Sequence, residues 1–209
     1  LRSLAELGLH WDGQVVYQSQ QTERYRAGLA ELEAQGLLYA CGCSRRELAQ
    51  AANSVYPGVC RNKRLRPEPG SHALRLMTGE TCIRFADRVQ GWVEQRLARD
   101  VGDFILFRRD GVYAYHLATV LDDASQGVTD VLRGLDLLDS TPRQIYLQRL
   151  LGLPAPDYAH TPILLDAQGK KLSKRTLAPE AETRHPSQLL WSLLELLQQN
   201  PPPEAQNAG

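Results

Sequence analysis

The sequence predicts an α/β fold, and three observations carry that prediction. Stretches with apolar residues three and four apart take turns with short stretches of alternating apolar and polar residues, so helical and strand periods interleave. Glycines and prolines punctuate the joins between them. No segment recurs at a fixed spacing, which excludes a solenoid or a propeller.

Taken in order, residues 1–8 read as the end of a helix that Gly8 stops. The stretch 21–35 puts Tyr25, Leu29 and Leu32 on one helical face, with Thr22 as its cap and Gly36 as its stop. Residues 37–40 form a short strand running into the first cysteines, and 44–52 a short helix capped by Ser44. The stretches 72–77 and 82–87 alternate like strands paired around Thr78-Gly79-Glu80, which makes Cys82 a core residue. Residues 104–107 and 112–115 flank Arg109-Asp110-Gly111, a hairpin signal. A helix over 116–123 ends by Gly127, and 128–132 is a strand. Thr141 caps the next helix, with Pro142 at its first position, Gly152 beyond its end, and Tyr146, Leu147, Leu150 and Leu151 on its apolar face. Residues 161–165 form a strand followed by a Gln168-Gly169 turn. An apolar helix over 187–199 stops at Pro201-Pro202-Pro203, and 200–209 is a flexible tail.

With 209 residues and 43% apolar content the chain can build a sizeable core, and wholesale disorder is excluded. Lys and Arg number 24 and so do Asp and Glu, so contact with nucleic acid depends on a local basic face and not on the global field. Arg61, Lys63, Arg64, Arg66 and Arg75 against Glu68 make one such stretch, either a phosphate-facing edge or a solvated loop. No apolar run approaches the roughly 18 residues of a membrane helix, and no secretory leader opens the chain. A cytoplasmic place without membrane contact is expected. The chain opens on Leu1 inside a helical pattern, so a preceding segment is expected as well.

In a reducing compartment the four cysteines, Cys41, Cys43, Cys60 and Cys82, are not expected to form a disulfide framework. Cys41-Gly42-Cys43 followed by Cys60 has the look of a metal knuckle. Thiolates suit zinc, which takes four ligands, and Gly42 lets the backbone curl so that both sulfurs face one point. Tyr56, His72 and water are the candidates for the fourth place. Three small buried apolar side chains would show the same spacing.

The stretch with most chemistry is Gly169-Lys170-Lys171-Leu172-Ser173-Lys174-Arg175. Two lysines three apart with a serine between them can address one anionic ligand, each lysine acting as a point charge on phosphate oxygens. Such charges favour a transition state in which a phosphate linkage breaks. An ordinary basic surface loop has the same composition.

Lys171-Leu172-Ser173-Lys174-Arg175 resembles the KMSKS signature of class I aminoacyl-tRNA synthetases, in the KLSKR form of their glutamate branch. Ala114-Tyr115-His116-Leu117-Ala118, Asp122-Asp123 and Gln126-Gly127-Val128-Thr129-Asp130-Val131-Leu132-Arg133-Gly134 resemble that branch's glutamate-binding region. Pro142-Arg143-Gln144-Ile145-Tyr146 matches it too. Gly8-Leu9-His10-Trp11-Asp12-Gly13 resembles a box that follows the first half of the nucleotide fold. The cysteine knuckle also falls where these enzymes carry zinc. The matches run in family order from residue 1 to about residue 195.

The resemblance implies a partial Rossmann-like catalytic core with a zinc-knuckle insertion. Residues 1–36 would close the first nucleotide-fold half, 37–103 form the insertion, 104–178 the second half with its KLSKR loop, and 179–199 a C-terminal helix before the tail. Arg133 would pair with the carboxylate of bound glutamate through its guanidinium fork, and Tyr115 would hydrogen-bond the same amino acid. Lys174 would contact the phosphates of magnesium-bound ATP, with Lys171 and Ser173 shaping the loop around it. Cys41, Cys43, Tyr56 and Cys60 would hold a structural zinc. The implied reaction joins glutamate to the α-phosphorus of ATP, giving glutamyl-adenylate and pyrophosphate, and then passes the acyl group to RNA. The family's HIGH signature is not among the 209 residues, so this piece alone is expected not to catalyse. A monomer is expected.

Within the branch, three features resemble its short paralogues. Only 34 residues follow Arg175, and Leu137 and Asn62 stand where ordinary glutamyl-tRNA synthetases commonly carry His. That likeness favours Tyr56 over the other candidates as the fourth zinc ligand. It also implies that the acceptor is the queuosine base of tRNA(Asp), and that glutamate is activated without tRNA, which ordinary glutamyl-tRNA synthetases need for this step. A fragment of an ordinary glutamyl-tRNA synthetase and a non-catalytic RNA-binding zinc module are the alternatives.

Overall fold

The computed structural model describes residues 1–44, 47–48, 55–68, 70–166, 168–171 and 186–200. In chain order the elements are α1 (Arg2–Glu6), α2 (Thr22–Ala34), β1 (Leu38–Cys41), β2 (Ala73–Leu76), β3 (Cys82–Asp87), β4 (Gly91–Arg96), α3 (Leu97–Asp100), β5 (Phe104–Phe107), α4 (Tyr115–Ser125), β6 (Asp130–Gly134), a 3-10 segment (Leu135–Ser140), α5 (Thr141–Leu150), β7 (Asp157–Thr161) and α6 (Pro186–Leu196). They fall into two compact units, Leu1–Val16 with Leu164–Gly209, and Tyr17–Ile163.

The unit Tyr17–Ile163 holds two sheets. One is antiparallel, in the order β1-β2-β5. The other is mixed, in the order β4-β3-β7-β6, with β3–β4 antiparallel and both β3–β7 and β6–β7 parallel. Parallel neighbours need a crossover, and the 3-10 segment and α5 supply it between β6 and β7. Leu32, Leu76, Ile83, Leu97, Leu106, Leu117 and Leu147 are fully enclosed in the core, each contributing about 1.5–3 kcal/mol by leaving water. Gly28 lets α2 approach α4 closely, since a Cβ there would stand 2.8 Å from a Leu121 methyl.

Several expected elements form where the periodicity puts them. α2 buries Tyr25 and Leu32, and Gly36 stops it at φ +70°. Ser44 caps by exchange with Glu47: its Oγ accepts the Glu47 N–H at 3.2 Å while its own N–H donates to the Glu47 carboxylate at 2.6 Å. Residues 45–46 and 49–52 of that expected helix, the tail over 201–209 and the motif residues Leu172, Ser173, Lys174 and Arg175 lie outside the described residues.

Other expectations are corrected. The stretches 72–77 and 82–87 do not pair. β2 lies between β1 and β5, and Thr78 is tied to Asp103 through its N–H and hydroxyl, so the chain leaves one sheet before β3 enters the other. Cys82 is exposed, because the two-residue period of β3 turns Ile83 and Asp87 inward. Thr22 and Thr141 begin their helices, and Gln21 and Ser140 occupy the cap positions. The strand expected over 161–165 is β7, four residues earlier. Pro162 has no N–H with which to continue the ladder, and β6 pairs with Asp157–Thr161 instead. The hairpin after β5 is brief, with one bridge at Phe107–Tyr113, because Tyr115 already starts α4.

In the other unit, α1 ends at Glu6 with Leu7 as its C-cap, followed by Gly8 at φ +71°. A tight turn with Gly169 at φ +75° brings Leu165 opposite Lys171. The Asp166 carboxylate accepts the N–H groups of Gln168 and Lys170 at 2.9 and 2.8 Å and so holds this turn. No helix among the described residues is long and apolar enough to cross a membrane.

Candidate active site and cysteine cluster

Arg133 lies on β6, the edge strand of the mixed sheet, and its side chain is tied to β7 and α5. Its Nε donates to His160 Nε2 at 3.1 Å. Its Nη2 donates to Thr141 Oγ1 at 2.7 Å and Gln144 Oε1 at 2.8 Å. Nη1 points to the Tyr115 hydroxyl at 3.4 Å. One edge of the guanidinium is therefore taken up by protein acceptors, and the Nη1 end is the part left beside Tyr115. Tyr115 opens α4 and is 47% exposed. The N-terminal position of Thr141 in α5 brings its hydroxyl to Arg133, which is how a side chain expected to cap the helix is used.

Behind Arg133, His160 is fully buried on β7, with Nδ1 2.5 Å from Asp87 Oδ2. Asp87 ends β3, and its Oδ1 accepts the N–H groups of Val89, Gln90 and His160. Burial alone would raise the Asp87 carboxyl, but the His160 ring and these backbone donors bring it down to about 2. No carboxylate forms an ion pair with Arg133 among the described residues. Asp123, raised by burial, feels Arg133 only through space.

The second cluster joins the end of β1 to the 56–60 segment. The sulfurs of Cys41, Cys43 and Cys60 lie within 4.8 Å of one another, with Cys43 and Cys60 at 3.5 Å. The Tyr56 oxygen stands 3.4 Å from Cys41 Sγ and 3.7 Å from Cys43 Sγ, and accepts the Cys60 N–H at 3.0 Å. Zinc–sulfur bonds of about 2.3 Å put the edges of a tetrahedron near ~3.8 Å, so three sulfurs and this oxygen have the spacing and donor chemistry of a closed zinc site. Gly102, at φ +70°, lets Tyr56 in, since a Cβ there would meet the Tyr56 carbonyl oxygen at 2.5 Å. The Arg75 guanidinium lies 3.7 Å over the Tyr56 ring. Burial pushes the Cys41 thiol up, yet the Tyr56 hydroxyl and Arg75 outweigh it and bring it down to about 7. Burial and the neighbouring sulfurs push Cys43 up to about 11. His72 packs beside Gly42 and is not among the clustered ligand atoms.

A cavity of about 640 Å³ runs between the two places, lined by Tyr56, Arg75, Arg108, Tyr115, His116 and Arg143 among others. Burial lowers His116 to about 4, helped by Arg143 and Arg133, so the ring is neutral at pH 7. The Arg143 guanidinium donates to the Asp139 carbonyl at 2.8 Å.

A family model described as tRNA synthetases class I (E and Q), catalytic domain, matches residues 1–185. The chain belongs to this family. It is 50% identical over 204 residues to a glutamyl-Q tRNA(Asp) synthetase of Pseudomonas putida, a match covering 98% of this chain and 67% of that protein. Relatives of the same name in Methylococcus capsulatus and Ectopseudomonas mendocina are 53% and 51% identical, covering 94% and 100% of this chain and 65% and 70% of theirs. The chain thus spans about two thirds of the length of these curated relatives. Among solved structures, a glutamate tRNA ligase from Elizabethkingia meningosepticum in complex with its amino acid superposes with a TM-score of 0.67 at 24% identity, covering 83% of this chain and 41% of that one. A glutamate-tRNA synthetase from Elizabethkingia anophelis gives 0.68, also at 24%. These two likenesses establish the class I synthetase α/β fold with its mixed sheet.

Every site residue expected from the sequence lies within the stretch that the synthetase family model matches. The structure brings Arg133 to Tyr115, and brings Cys41, Cys43, Cys60 and Tyr56 together. Lys171 pairs with Leu165 in the other compact unit. Sequence reasoning missed His160, Thr141 and Gln144 as partners of Arg133, and Asp87 behind His160. The available signal was a set of polar residues at positions that strand and helix periods turn inward, and all four are buried.

Proposed function

We propose that the chain is part of an enzyme that activates glutamate with ATP and transfers the glutamyl group to the queuosine base of tRNA(Asp). The observation that carries this reading is Arg133. Its guanidinium is held by neutral acceptors on one edge and presents Nη1 beside the Tyr115 hydroxyl, an arrangement suited to an incoming carboxylate. The name shared by relatives about half identical to the chain supports the acceptor.

In this reading Arg133 and Tyr115 hold the glutamate while its reacting carboxylate oxygen attacks the α-phosphorus of magnesium-bound ATP. An O–P bond forms, the bond to the bridging oxygen breaks, and pyrophosphate leaves. Lys174, with Lys171 and Ser173 shaping its loop, offsets the charge that develops. A ring hydroxyl of queuosine then attacks the acyl carbon, and AMP leaves with the bonding pair. Catalysis consists of positioning and charge stabilisation. The cationic lining of the cavity beside Tyr115, from Arg75, Arg108 and Arg143, supports an anionic RNA as acceptor. Cys41, Cys43, Cys60 and Tyr56 would hold zinc, which when bound supplies a structural crosslink between β1 and the 56–60 segment. The proposed organisation keeps residues 37–103 as the insertion and 104–178 as the second nucleotide-fold half.

The test is glutamate-dependent ATP–pyrophosphate exchange without tRNA, with the protein expressed from its complete reading frame. Exchange, followed by charging of queuosine-containing tRNA(Asp), is expected. Exchange that appears only on adding tRNA(Glu) would assign an ordinary glutamyl-tRNA synthetase, and no exchange under either condition would overturn the catalytic reading.

A further inference from the structure

We infer that Asp87 and His160 are positioning residues for Arg133, acting as a unit that sets which face of the guanidinium meets the substrate. The inference rests on the reading that Arg133 receives the carboxylate of glutamate. Asp87 is anchored first. Its side chain is fully enclosed, and Oδ1 accepts three backbone N–H groups at 2.9 to 3.1 Å. These donors come from the turn after β3 and from β7, so the carboxylate is fixed by backbone on two strands that the sheet itself aligns.

The other oxygen, Oδ2, faces His160 Nδ1 at 2.5 Å. The opposite ring nitrogen faces Arg133 Nε at 3.1 Å. A guanidinium N–H only donates, so His160 Nε2 has to accept, and the ring proton resides on Nδ1 toward Asp87. Asp87 therefore selects the tautomer that can bind Arg133. The alternative tautomer would bring two N–H groups face to face at this contact.

The consequence reaches the open end of the guanidinium. With Nε held by His160 and Nη2 by Thr141 and Gln144, the plane of the group has no rotational freedom left, and Nη1 is aimed at Tyr115. The Asp87 charge is meanwhile engaged by the His160 ring and three backbone N–H groups, one residue removed from Arg133. Arg133 is thus held firmly without being neutralised by direct contact, which is the condition under which an incoming carboxylate is favoured over a neutral amide.

The experiment uses the complete protein and calorimetric binding of glutamate and of ATP, measured separately. Asp87→Asn and His160→Leu should weaken glutamate binding about tenfold or more while ATP binding stays within twofold. His160→Gln, whose side-chain oxygen can take the place of Nε2, should recover part of the loss. Nitrogen-15 NMR of the unmodified protein should show the His160 proton on Nδ1. A proton on Nε2 overturns the inference whether or not the variants fold, as does parallel loss of glutamate and ATP binding, which marks a merely structural role. Glutamate binding that depends on Arg133 but not on Asp87 overturns the positioning role alone. Glutamate binding indifferent to Arg133→Ala overturns the functional reading beneath it.

Discussion

Arg133→Ala is the perturbation with the largest expected effect on substrate use. The guanidinium donates to four protein acceptors at 3.4 Å or less, and three of them, His160, Thr141 and Gln144, fix its orientation. Truncation removes the guanidinium that hydrogen-bonds the Tyr115 hydroxyl, so a bound carboxylate would lose a charge-assisted partner. Losing one member of a desolvated charge pair costs about 2–5 kcal/mol. Arg133 is half-buried, which admits water and favours the lower part of that range, about 2–3 kcal/mol. At 1.4 kcal/mol per factor of ten, glutamate KM should rise about 30- to 150-fold. The acceptors left behind, Thr141, Gln144 and His160, are buried, so truncation also leaves polar groups unpaired and should cost about 1–3 kcal/mol of stability. The assay is ATP–pyrophosphate exchange over a glutamate series, with ATP varied separately. Arg133→Lys, which keeps the charge and loses the fork, should fall between the two. An unchanged glutamate KM in Arg133→Ala would refute the reasoning, and so would an equal rise in the ATP KM.

Three further outcomes are expected. Cys43→Ser should release zinc, and at about 2 kcal/mol or more lost it should lower the melting temperature by at least ~4 °C, checked by metal analysis beside thermal unfolding. Asp87 is held at about 2 in the folded protein against an ordinary value of 3.8, so the unfolded chain binds the extra proton. Its contribution of up to about 2 kcal/mol is therefore complete above pH 4 and is lost as pH falls from about 4 to 2, visible as an acid-unfolding limb that Asp87→Asn reduces. Leu147→Ala opens a cavity at a fully enclosed core position and should cost about 2–5 kcal/mol in urea titration.

Local rules made much of the chain legible from the sequence. Tyr25 and Leu32 are seven residues apart on one helical face, and α2 buries both. Gly36, Gly127 and Gly152 stop helices at positive φ, where a residue without Cβ carries no steric cost. Cys41-Gly42-Cys43 already places two sulfurs at one point, and the third arrives with the 56–60 segment. Arg133 and Tyr115, 18 residues apart, were legible through resemblance and not through spacing, since nothing in their separation brings a helix start to an edge strand.

The remainder depended on which elements meet in space. Alternation alone cannot tell a strand paired with its neighbour in sequence from one paired across the fold, so it suggests a β2–β3 pair although the two belong to different sheets. The same period is silent about phase, which is why Cys82 points outward while Ile83 and Asp87 point inward. Asp87, Gln144 and His160 gave no local signal of joint action: they come from β3, α5 and β7, and His160 meets Asp87 across 73 residues. The sequence by itself determined the helix periods, the turns, the cysteine knuckle and the residues able to address a carboxylate or a phosphate, because those properties reside in side chains a few positions apart. Only the tertiary structure decided strand partners, the inward face of β3 and the Asp87–His160–Arg133 chain, because burial and hydrogen bonding between distant segments exist only once the sheets have assembled.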